Sequence, residues 1–123
     1  MSKTCYKAGH FALNGRIVSV ETNDATGIEQ NIIRWAQEHG IFDKATLKTQ
    51  MEKLDEEVGE IRLALTEDDH EGLIDGIGDA SIVLTILARM CGVTFNQCRQ
   101  HAWAQIKDRK GQMVDGMFVK ESA

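Results

Sequence analysis

The chain contains no proline. Nothing therefore forces a break inside a helix, and long uninterrupted helices are expected. Cysteine is scarce. Cys5, Cys91 and Cys98 are odd in number, and neither a CxxC pair nor a Cys/His cluster occurs. This argues against a disulfide framework and the usual zinc spacings, and predicts thiols that behave as small buried hydrophobes in a reducing compartment. Net positive charge is also missing. Nineteen Asp and Glu against fourteen Lys and Arg leave −5 at pH 7, which argues against a general nucleic-acid partner. A nucleotide substrate stays compatible, because a bound cation reverses the sign locally. Long apolar runs are absent too. The longest, Ala80 to Ala88, carries Ser81 and Thr85 and falls far short of the ~20 residues of a membrane span. The amino end has no apolar core of a signal peptide. The expectation is a cytoplasmic protein with no membrane partner.

What is present reads as helices. A chain of 123 residues suits one domain burying roughly two-thirds of its unfolded surface. Thr26-Gly-Ile-Glu29 is a capping box, and Ile28, Ile32, Trp35 and Ala36 follow at helical spacing to a stop at Gly40. A second helix is predicted from Asp43 or Thr46. Its stripe Leu47, Met51, Leu54, Val58, Ile61, Leu65 steps by four and three throughout. A third starts at Asp68 or Asp69 and ends before Gly92. It is apolar nearly all round from Ile77 to Leu87, so it is expected to be the most buried. Thr94-Phe-Asn-Gln97 caps a fourth, which ends before Gly111. Asn14-Gly15 and Asp115-Gly116 are turn signals between short apolar runs. The expectation is an all-α, four-helix bundle-like domain over 1–123, with its core at about 26–111 and short irregular or hairpin-like arms at both ends.

Two carboxylate groups lie on the second and third helices: Glu56, Glu57 and Glu60, then Asp75 and Asp79. Residues three or four apart share a helix face, so an antiparallel pair can bring the groups together. The first group alone reads as a solvated flank. Asp79 is the telling residue, because it falls inside the most apolar helix, where a buried unpaired carboxylate demands a basic partner or a metal. An all-oxygen set suits Mg²⁺, with Mn²⁺ as substitute.

These residues resemble a known family. Gln50-x-x-Lys53-Leu54-x-Glu56-Glu57-x-x-Glu60, then Ile77-Gly78-Asp79 and an apolar helix, is similar to the MazG-like all-α NTP pyrophosphohydrolases. That family carries ExxE, a spacer and ExxD. Glu57 and Glu60 match the first element and Asp79 the last residue. Gly76 stands where the family has glutamate, and Asp75, one residue earlier, is the candidate replacement. The ending Lys107-Asp-Arg-Lys-Gly111 … Gly116-Met-Phe-Val-Lys120 resembles small stand-alone phage members, which implies the host cytoplasm.

The resemblance implies Mg²⁺-dependent hydrolysis of an NTP or dNTP to the monophosphate and pyrophosphate, with (d)GTP the first candidate, in a homodimer or homotetramer. Glu57, Glu60 and Asp79 would hold the metal, helped by Asp75 and Glu56, with Glu56 or Glu57 handling the attacking water. Lys53 is placed to reach a phosphate. Lys107, Arg109 and Lys110 would clamp the triphosphate or simply favour a helix C-terminus. Trp35 is expected in the core, with base stacking as the alternative, and Asn31 would read a base edge or stay solvated. Trp103 is expected in the core or an interface. The competing readings are a phosphoribosyl-ATP pyrophosphohydrolase and a non-catalytic nucleotide-sensing or oligomerisation module. A di-iron bundle lacks its second ExxH, and an HD hydrolase lacks its His-Asp pair.

Overall fold

A computed structural model describes the backbone of residues 10–13, 16–19 and 25–122, and side-chain surroundings over 27–122. Among these residues it contains five helices and two antiparallel hairpins. The order is β1 (His10–Leu13), β2 (Arg16–Ser19), α1 (Ala25–Glu38), α2 (Ile41–Lys44), α3 (Leu47–Thr66), α4 (His70–Met90), α5 (Phe95–Ile106), β3 (Gly111–Val114) and β4 (Met117–Lys120). The all-α character holds. The four expected helices are α1, α3, α4 and α5, and the single turn α2 is additional.

Local signals set most boundaries. Gly40 takes φ 74°, a left-handed value that ends α1 and starts α2. Thr46 caps α3 in a reciprocal box with Thr49. Asp69 caps α4, its carboxylate accepting from Gly72 N–H at 3.0 Å, and Thr94 caps α5 in a box with Gln97. Leu13 pairs with Arg16 in the first hairpin, while its Asn14-Gly15 turn lies outside the described residues. Val114 pairs with Met117 in the second. There Asp115 and Gly116 both take positive φ, 51° and 80°, as the twist-matched two-residue turn requires.

The capping box expected at Thr26 resolves differently. The helix already begins at Ala25, and Glu29 is used elsewhere. Its carboxylate accepts from the backbone N–H of Phe95 and, at 3.4 Å, of Asn96. It thus caps α5 from α1, and the two helices are tied by an anion at a helix N-terminus.

α3 and α4 form an antiparallel pair, the main packing of the fold, with α1 and α5 against α4. At their crossing Gly76 lies against Ile61. α4 is the most buried helix, contributing Gly76, Val83, Thr85, Ile86 and Ala88. The core is nevertheless thin. Its buried hydrophobic members among the described residues are Ala36, Ala64, Val83, Ile86 and Ala88, and no large side chain is fully buried. The expected burial of a self-sufficient domain is therefore not met among the described residues. The α3 stripe shows why: Leu54 and Ile61 are half-buried against α4, while Leu47, Met51, Val58 and Leu65 on the same stripe stay exposed.

Several expectations based on burial fail for the same reason. Trp35 is 47% exposed and stacks on His39, with ring centroids 4.8 Å apart. The free thiols Cys91 and Cys98 are exposed rather than buried. Trp103, expected in the core or an interface, lies exposed on α5 and so is not part of this chain's core. Cys5 lies outside the described residues. Among the described residues no single helix is long and apolar enough to cross a membrane.

Candidate metal centre

The acidic residues of α3 and α4 meet as their spacing requires. One carboxylate oxygen each of Glu57, Glu60 and Asp79 lie within 4.8 Å of one another. Glu57 and Glu60 are three apart on α3 and share a face, and Asp79 enters from α4 across the pair.

Burial within the group is the reverse of the expectation. Asp79 is exposed, and Glu57 is the buried member, at 5% exposure. The apolar surroundings of Asp79 in sequence misled, because Ile77 and Gly78 beside it also face outward. The face of α4 that packs is the one through Gly76, Val83 and Ile86. One Glu57 oxygen, Oε2, is buried without a hydrogen-bond partner. An orphaned, nearly fully buried carboxylate oxygen inside a three-carboxylate group is costly unless a cation meets it. The donor set is all oxygen and is open on the Glu60 and Asp79 side, which fits a hard divalent ion keeping waters or phosphate oxygens as further ligands.

The other Glu57 oxygen accepts Lys53 Nζ at 3.4 Å, and Glu56 accepts the same ammonium at 3.1 Å. The hydrogen bond to Glu56 and its charge, followed by those of Glu57, push the Lys53 pKa above 10.5. Lys53 thus sits on the carboxylates it was expected to stand beside. Asp75 lines an open cleft with Glu60, Asp79, Glu67 and Asp69. It borders the cluster without belonging to the three converging residues. Gly76 has a structural reason to be glycine. A Cβ there would come within 2.7 Å of Ile61 Cγ1, so α3 and α4 approach too closely for a glutamate at this position.

The remaining predicted residues lie elsewhere. Arg109 and Lys110 line a separate cleft with Gln105, Asp108, Lys120, Glu121 and Ser122 at the root of the second hairpin. Lys107 is exposed beside them. Asn31 and Trp35 are exposed on α1. Sequence reasoning missed a cavity of about 430 Å³ between α1 and the end of α4, lined by Glu29, Gln30, Ile33, Arg34, Gln37, Arg89, Val93 and Thr94. Its two arginines are far apart in sequence and carry no local signal.

Fold and cluster define a helical protein with a carboxylate group suited to a divalent ion. No protein-family model matches the chain, and no solved structure gives a significant match. Over 66 residues, 54% of this chain, it is 32% identical to an uncharacterised 18.2 kDa protein from the rep-hol intergenic region of Haemophilus phage HP1. The match spans 40% of the length of that phage protein.

Proposed function

We propose that the protein is a Mg²⁺-dependent nucleoside triphosphate pyrophosphohydrolase, with (d)GTP as first candidate substrate, acting as a homodimer or homotetramer. The observation that carries the reading is the convergence of Glu57, Glu60 and Asp79 within 4.8 Å, with Glu57 buried and one of its oxygens without a hydrogen-bond partner. The MazG-like pattern of the sequence supplies the reaction class.

Glu57, Glu60 and Asp79 would hold the metal, with Asp75 close by in the same cleft as a helper. Bound there, Mg²⁺ would neutralise charge gathering on the pyrophosphate leaving group. Glu56, exposed and held by Lys53, orients the water and accepts its proton. The oxygen of that water ends on one product, and cleavage of the α–β phosphoanhydride releases monophosphate and pyrophosphate. Lys53, beside Glu56 and Glu57, would be within reach of a phosphate bound at the carboxylates.

The test is pyrophosphate release from the eight common NTPs and dNTPs with Mg²⁺ and again after chelation. Glu60→Ala and Asp79→Ala should abolish release while the helical circular dichroism survives. Metal-independent release, or full activity in both variants, refutes the reading. Gly76 favours one second reading, a module that binds nucleotide without turnover. Saturable, Mg²⁺-dependent thermal stabilisation by nucleotide with no pyrophosphate would establish it.

A further inference from the structure

Lys53 is the cation that the fold itself places on the carboxylate group. Its Nζ lies 3.1 Å from Glu56 Oε2 and 3.4 Å from Glu57 Oε1. Among the described residues no other Lys or Arg makes an ion pair with Glu56, Glu57, Glu60 or Asp79. Lys53, Glu57 and Glu60 follow one another along a single face of α3, so Glu57 lies between the ammonium and the rest of the group. It is shared: Oε1 meets the ammonium, and Oε2 is buried without a partner. Helix stability does not account for the pair. The Lys53 side chain is 52% exposed, where an ion pair contributes little, and lysine preceding glutamate at i, i+4 is the weaker helical order.

The geometry points to Lys53 as a specificity-determining residue that sets which form of the cation the group accepts: it weakens the hold on a bare divalent ion and strengthens the hold on one that arrives with a polyphosphate. The inference rests on the reading of this site as a metal-dependent triphosphate site. Its basis is a difference of sign. A bare divalent ion at Glu57, Glu60 and Asp79 is repelled by the ammonium and shares the charge of Glu57 with it. A divalent ion carrying triphosphate is negative overall. Against the four carboxylates alone its phosphate oxygens meet repulsion, and the ammonium turns that locally into attraction. An ammonium has three donors, and the exposed side of Lys53 leaves it free to offer one to a phosphate while Glu56 and Glu57 hold it in place.

Two binding measurements on the full chain read the two signs separately, and neither depends on turnover or on the base. Mn²⁺ is titrated alone by electron paramagnetic resonance, and inorganic triphosphate with Mg²⁺ by calorimetry. In Lys53→Met, which keeps the aliphatic stem, Mn²⁺ should bind up to about tenfold tighter at low salt, and the gain should shrink as salt screens the charge. Magnesium triphosphate should bind about tenfold more weakly to the same variant. Lys53→Arg keeps the charge and should behave as wild type in both. Glu60→Ala should abolish Mn²⁺ binding in either background, which assigns the ion to this group. Unchanged or weaker Mn²⁺ binding in Lys53→Met overturns the inference. So does a shift of both affinities in one direction, the mark of a residue that only supports the helix. Absence of Mn²⁺ binding in wild type and variant alike sinks the metal reading and this inference with it. Equal Mn²⁺ binding by the two sinks only the role given to Lys53.

Discussion

Glu57 is the residue on which the proposed metal centre turns. Replacing it with glutamine keeps its volume and removes its charge. Thermal stabilisation by Mg²⁺ or Mn²⁺ should then vanish, and pyrophosphate release should fall about 10²-fold or more. Both are measurable by melting and coupled assay. Gly76 gives a prediction of opposite character. Glycine to alanine inside a helix ordinarily stabilises by up to ~1 kcal/mol. Here the new methyl meets Ile61 Cγ1, on a β-branched side chain that is stiff at χ1. Overpacking of about 1–3 kcal/mol therefore wins, and Gly76→Ala should lower Tm by several degrees, with Ile61→Ala restoring part of the loss. Lys53 sets a pH signature. Its pKa is raised by Glu56 first and Glu57 second. The contribution of the pair, small for a half-exposed ammonium, is complete below 10.5 and is lost as pH rises through the folded-state value. Urea melts of wild type and Lys53→Met should differ slightly at neutral pH and converge only in strong alkali.

At the scale of elements, the clearest test is the tie between α1 and α5. Glu29→Ala strips an anion from two N–H groups at the α5 start and should cost about 1–2 kcal/mol in urea melts. Glu29→Gln should recover part of this. The same residue shows what was legible in the sequence. Thr46, Asp69 and Thr94 cap helices through partners three residues away, and such local chemistry can be read from the chain. Glu29 finds its partner 66 residues away, and nothing near it announces that. The carboxylate convergence was legible because helical spacing fixes which residues share a face. Which member would be buried was not, since that depends on how two helices rotate against each other. A small glycine, Gly76, decides that rotation by letting Ile61 come close.

On the scale of the whole molecule, the strongest hydrophobic pattern in the sequence correctly located a helix and misled about its surroundings. The Leu47–Leu65 stripe marks a surface that must be covered, and a periodicity says nothing about which chain covers it. The same holds for Trp35, whose bulk suggested a core position that the described residues do not provide. If a second copy completes that core, stability is linked to concentration by mass action. Tm should fall by a few degrees on hundredfold dilution in scanning fluorimetry.

The connector between α3 and α4 is only Glu67 to Asp69, and its brevity bears on the order of folding. Helices joined so closely meet through local encounters, which form fastest and need no distant partner. The carboxylate group of Glu57, Glu60 and Asp79 is therefore expected to assemble in the earliest step, ahead of the flanking helices. Amide protons of residues 54–64 and 76–86 should be the first to become protected in pulse-labelled refolding.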